Sequence, residues 1–151
     1  MNIFYLSSDP QECAKFHCDK HVVKMVTETA QILSNVLLSL GFPAPYKWAA
    51  SNPHPYQWAL KSRANYIWLC YLGYFLGMEY ERRYNKVHKA LSAIAECFLY
   101  ADEIPEGVFA EPPQSMPDDV KRESCIEAYR EYYRVYKRYF ARWKTEVPEW
   151  F

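Results

Sequence analysis

Apolar residues recur along most of this chain at spacings of three and four, the period of helices with one buried face. Ser8-Asp9-Pro10 opens the first such stretch, with Asp9 as cap and Pro10 at the first helical position. Gly41-Phe42-Pro43 closes it, with glycine just past the helix end and proline beyond. The spacing predicts a helix from Pro10 to about Leu40, with a break allowed near His17. Its core face carries Val22, Val26, Thr29, Leu33 and Leu37. Residues 42–54, with three prolines, Trp48 and His54, read as a loop. Pro55 opens a second long helix to about Tyr84, apolar nearly all round and so the expected centre of the bundle. A third helix is expected over Lys86–Tyr100, a proline-rich loop or lid over residues 102–118, and a last helix from Asp118 or Asp119 to about Lys144. The terminal Trp150 and Phe151 are expected to dock on the body. Only Asn2–Leu6 reads as extended. The expectation is an all-α fold: a single-domain helical bundle over residues 1–151, with an aromatic-rich core and a proline-rich loop.

Composition sharpens this picture at three points. Fourteen Tyr, eight Phe and five Trp make 18% of the chain, so either the core has many polar edges or a cleft is lined with stacking surfaces. Eighteen basic residues balance eighteen acidic ones, which disfavours a protein that coats nucleic acid by charge alone. The charge is uneven along the chain, however: residues 96–127 are acidic, while residues 1–95 and 128–151 are basic. The five cysteines, with no secretory leader evident in the opening residues, are expected to be reduced thiols of a cytoplasmic protein. The most apolar run, Ala64–Met78, is shorter than the roughly 18–20 residues that span a bilayer, so no membrane partner is expected.

Candidate chemistry centres on the first helix. On a wheel of about 100° per residue, His21, Lys24, Gln31 and Asn35 all fall within about 60° of Glu28. Met25 and Ile32 border this stripe. It mixes an imidazole, an amine, a carboxylate and an amide, unlike the Glu/Lys mixture of a solvated face, and a carboxylate held beside Lys and His suits acid–base work. Glu28, His21 and Lys24 are therefore the candidate catalytic residues, with Gln31 beside them. The run Cys13, His17, Cys18, His21 invites a metal reading. Four ligands on one continuous helix cannot close a tetrahedron, so that reading needs a break near His17 or outside ligands such as His54 and His88; no metal and no cofactor is assigned. Arg82, Arg83, Lys86, His88 and Lys89 form a basic cluster at a helix junction, either a charged helix end or a phosphate clamp. Arg63 interrupts an apolar helix and needs a partner, Glu79, Glu28 or a ligand. His54, Arg63, Arg83, Lys86 and His88 are thus candidate substrate-binding residues. No phosphate loop, dinucleotide fingerprint, HExxH or Gly-x-Ser-x-Gly is present, which disfavours kinase, hydride-transfer and α/β-hydrolase chemistry.

The stretch from Cys18 to Gln31 looks like the signature of a group of small phage-type proteins. More distantly, the layout resembles the pyrimidine-dimer DNA glycosylases, small all-helical enzymes in which an Asp-x-His is followed, seven residues after the His, by a catalytic Glu. Here Asp19-Lys20-His21 is followed by Glu28 at that spacing. Ile104-Pro105 and the aromatic, basic region from Tyr132 to Trp143 are similar as well. The resemblance implies cleavage of an N-glycosidic bond in DNA at a damaged or modified base. The α-amine at the N-terminus would attack the sugar C1′, Glu28 would take the carboxylate role, and the target base would be flipped out. Asn2 leaves Met1 in place, so that amine is the methionine's. Two other functions stay open: a helical cleft that sequesters a nucleotide-like ligand without turnover, and a metal-dependent hydrolase.

Overall fold

Asp9 caps the first helix, α1 (Pro10–Phe16), by accepting the Gln11 N–H at 3.0 Å. The computed structural model, which describes residues 1–151, then leaves helical geometry at His17 and Cys18 and re-enters it as α2 (Asp19–Ser39). The backbone groups freed by this break all find partners. Tyr133 Oη accepts the Cys18 N–H at 3.2 Å, the Arg142 carbonyl accepts the Asp19 N–H at 2.7 Å, and Arg83 donates to the His17 carbonyl at 2.7 Å. At the far end of α2, Gly41 takes φ +85°, and the Gly41 and Phe42 amides turn back onto the Leu38 and Leu37 carbonyls. That left-handed stop is the one glycine suits.

The expected second helix is two. Between α3 (His54–Lys61) and α4 (Arg63–Tyr84), Ser62 is extended and its Oγ accepts the Asn65 N–H, a cap stronger than the apolar periodicity that runs through it. Asn85, at φ 56°, ends α4. The third helix is shorter than its pattern: α5 spans Leu91–Phe98, because residues 86–90 turn around His88, which accepts the Ala90 N–H and contacts the Val23 carbonyl. The last helix is also trimmed. A single 3-10 turn occupies Asp118–Val120, Ser124 caps α6 (Cys125–Tyr132), and α6 runs on as a π-type turn over Tyr133–Lys137.

The result is an all-α bundle with one core of 33 buried residues. α2 and α4 together form its centre, with α4 packed on α1, α2, α3 and α5. Twelve of the 21 residues of α2 are buried, and α3, α4 and α5 all pack on it, whereas α4 leaves Tyr71, Tyr74 and Met78 at the surface. Gly73 lets α4 approach closely: a Cβ there would lie 2.8 Å from Ile94 and 3.0 Å from Thr29. Residues 102–118 form a strap rather than a lid. Trp58 donates to the Ala110 carbonyl, Ala110 donates to Asn65, Arg63 donates to the Asp102 and Ile104 carbonyls, and Tyr129 donates to the Pro113 carbonyl. The tail docks through Trp150, which meets Phe16 and Tyr133 edge-on while Arg134 holds its carbonyl. All five cysteines are buried free thiols. No helix is long and apolar enough to cross a membrane.

Candidate functional site around Glu28 and the amino terminus

Residues 3–7 are buried without regular structure, so the opening segment is threaded into the bundle beside α2. This brings the Met1 amine to 3.9 Å from the Glu28 carboxylate, which Lys24 approaches at 3.5 Å from one turn earlier. The first distance is in ion-pair range but too long for a direct hydrogen bond. Three contacts fix Met1 and Asn2. Ser51 Oγ accepts from the Met1 amine, Asn52 donates to the Met1 carbonyl, and Asn2 donates to the Ser115 carbonyl. Tyr129 Oη, whose proton goes to the Pro113 carbonyl, lies 3.0 Å from Asn2 Oδ1 and accepts the Ser115 N–H. Asn35, on the Glu28 face of α2, bonds both the N–H and the carbonyl of Ala49, so α2 itself anchors the loop carrying Ser51 and Asn52.

Two turns before Glu28 on α2, around His21, lies a wall of aromatic rings and ammonium groups. Phe4 stacks on His21 with centroids 4.2 Å apart, and Phe140 meets the same imidazole at 5.6 Å. Lys20 and Lys137 both sit over Phe140, and Lys137 also lies 4.7 Å from the Tyr132 ring. The π-type turn places Tyr133 inward and Lys137 at this wall, a local irregularity often found at functional sites. His21 is only 1% exposed, and its Nδ1 lies 2.6 Å from Tyr133 Oη. Burial, helped by His17, Lys24 and Lys137, pushes its pKa down to about 2. His21 is therefore a neutral imidazole.

The other sequence candidates fall elsewhere. Gln31 lies a turn beyond Glu28 and is half-buried. Arg83 is buried, spent on Asp19, Glu79 and the Lys15 and His17 carbonyls, so it staples α1 to α4. The partners of Arg63 are the 102–104 backbone and Glu106, not Glu79 or Glu28. His88 holds the Val23 carbonyl, and Lys86 is exposed beside it in sequence. His54 opens α3 and lines a shallow pocket with Trp58, Lys61 and Glu111. The basic cluster is thus not a clamp facing Glu28: Arg82 pairs with Glu79 and Glu146. Cys13, His17, Cys18 and His21 also go separate ways. The Cys13 thiol donates to the Phe4 carbonyl, His17 Nδ1 contacts the Cys13 carbonyl, and no three His, Cys, Asp or Glu side chains converge as a ligand set.

The residues that sequence reasoning passed over are Phe4, Ser51 and Asn52, while Tyr133, Lys137 and Phe140 lay in the aromatic, basic region noted as a whole but were not singled out. The six come from three separate segments, and no local spacing links them to Glu28. Compared with family models, with curated proteins and with solved structures, the chain finds no match.

Proposed function

We propose that this protein cleaves the N-glycosidic bond of a damaged or modified base in DNA, with Glu28 as its essential carboxylate. One observation carries the reading: an α-amine and a carboxylate face each other at 3.9 Å beside a half-exposed lysine. As the base departs, positive charge develops on the sugar, and a carboxylate fixed beside it stabilises that charge. The neutral Met1 amine attacks C1′ as the bond from C1′ to the base breaks and its electron pair leaves with the base. The attached nitrogen then gives a proton to Glu28. The nitrogen lone pair opens the sugar ring, the C1′–O electron pair going to the ring oxygen, which takes that proton from Glu28 and leaves a protonated imine. Tyr132 and Phe140, the partly exposed rings around His21, offer stacking surfaces for a base taken out of its helix.

The test is incubation with oligonucleotides carrying damaged or modified bases, with released bases read by mass spectrometry. Borohydride in a parallel reaction traps any imine between protein and sugar. Glu28→Gln is expected to keep the fold, since the ion pairs of Glu28 are with Met1 and Lys24 alone, and to lose base release by about a hundredfold or more. Equal release by that variant sinks the reading. Adding Gly before Met1 moves the amine off Glu28 and is expected to abolish trapping. A second reading, sequestration of a nucleotide-like ligand, draws on the same aromatic wall and predicts tight binding with the ligand recovered unchanged.

A further inference from the structure

Two glycines of α4 show how α5 lies on it: Gly73 faces Ile94, and Gly77 faces Leu91. The two helices are therefore antiparallel, and an open groove of about 710 Å³ follows their outer seam. It runs from Val87 and Leu91 at one end to Phe98 and Leu99 at the other, with Tyr71 and Tyr74 as its α4 wall. Tyr71 meets Phe98 edge-on at 5.4 Å. Eight of the nine lining residues are apolar, so the groove suits apolar side chains and offers a polar ligand little to bond. Leu99 is 83% exposed and Val87 64%. Large apolar residues gathered at a surface in this way mark an interaction face. None of the residues around Met1 and Glu28 lines the groove, so its role is independent of the glycosidase reading.

We propose that the occupant of this groove is a second copy of the chain, related by a two-fold axis across the seam. Charge selects it. Lys86 and Lys89 flank Val87 at one end. Glu96 lies on the stripe of α5 that carries Ser92 and Leu99, and Asp102 and Glu103 follow at the opposite end. All five are exposed, and none forms an ion pair. Within one molecule α5, roughly 12 Å long, holds the lysines away from the acids. A two-fold axis reverses the second copy end for end, and every contact it makes occurs twice. Leu99 of each copy enters the other's groove at Val87 and Leu91. Lys89 then faces the partner's Glu96, and Lys86 faces the acids beyond it. The face is thus self-complementary in shape and in charge, as a symmetric dimer requires.

The test is analytical ultracentrifugation of the full chain over a range of micromolar concentrations. The native protein is expected to approach twice its 18.0 kDa as concentration rises. Leu99→Asp, at a position too exposed to disturb the core, should keep the circular dichroism spectrum and stay monomeric. Lys89→Glu and Glu96→Lys each bring like charges together across the axis and should weaken association about tenfold or more. The double variant Lys89→Glu/Glu96→Lys restores the pairing in exchanged form and should recover most of that loss. A dimer that survives Leu99→Asp, or charge variants without mutual rescue, overturns this interface. A native chain that stays at 18.0 kDa at every concentration overturns the dimer. If that monomer binds the apolar dye anilinonaphthalene sulfonate and Leu99→Asp does not, the groove belongs to an apolar ligand instead.

Discussion

Asn35 occupies one position on α2 and governs another fourteen residues away. Its amide donates to the Ala49 carbonyl and accepts the Ala49 N–H, both at 3.0 Å, and is 99% buried. Asn35→Ala removes both bonds and leaves the Ala49 backbone groups unpaired. The expected cost is about 1–3 kcal/mol of stability, read as a lower denaturation midpoint. Because Ala49 leads into Ser51 and Asn52, the same change loosens Met1, and under the proposed glycosidase function base release is expected to fall further than stability alone accounts for. Asn35→Asp keeps the acceptor and loses the donor, and should lie between the two. A midpoint unchanged in Asn35→Ala means that the loop is held by its other contacts. The helical wheel placed Asn35 on the same face as Glu28, about 20° away. It could not say what the amide holds, since periodicity fixes the face of a residue and not its distant partner. The same limit applied to Arg83, where charge and neighbourhood suggested a clamp while the partners lay on α1 and α2.

Arg83 also decides how two elements meet. The break between α1 and α2 leaves carbonyls at the end of α1, and its guanidinium reaches those of Lys15 and His17 together with Asp19 and Glu79. Arg83→Ala strands two largely buried carboxylates and these carbonyls. It is expected to destabilise the protein by about 3–5 kcal/mol, a fall of roughly 10 °C in Tm by circular dichroism. Arg83→Lys keeps the charge without the planar fork and should recover only part of this. A melting curve like the native one in Arg83→Ala would remove the stapling role. Helix existence was legible in the sequence because the apolar period is strong in each segment. Helix interruption was harder to read. The Ser62 cap is a short-range signal inside a long apolar run, and the turn at residues 86–90 depends on His88 reaching across to α2. Burial of α2 on nearly every side was hidden by its polar stripe, because the N-terminal segment and the tail region cover that stripe only in three dimensions.

Across the whole molecule, the buried titratable groups define a pH window. His17 is fully buried, facing the Cys13 carbonyl, Arg83, Phe4 and His21, and burial lowers its pKa to about 4. His21, against Tyr133, Phe4, Phe140, Lys24 and Lys137, is lowered to about 2. In the unfolded chain both titrate near 6.5. Below that pH the unfolded state binds protons that the folded state refuses, so stability falls as pH drops from about 6.5 toward 4, at up to roughly 1.4 kcal/mol per unit for each histidine. At the other end, burial raises the thiols of Cys13, Cys97 and Cys125 from 9.0 to about 12, and those of Cys18 and Cys70 upward as well. The unfolded thiols ionise first, so the stability they contribute is complete below about pH 9 and is lost as pH rises toward the folded values. Thermal melts from pH 4 to 11 should therefore show a plateau between about 6.5 and 9, with Tm falling on both sides. His17→Gln, which carries no titrating imidazole, should shallow the acid limb and leave the alkaline limb unchanged. An acid limb that begins only near pH 4, where carboxylates titrate, would mean that neither imidazole is held neutral by the fold.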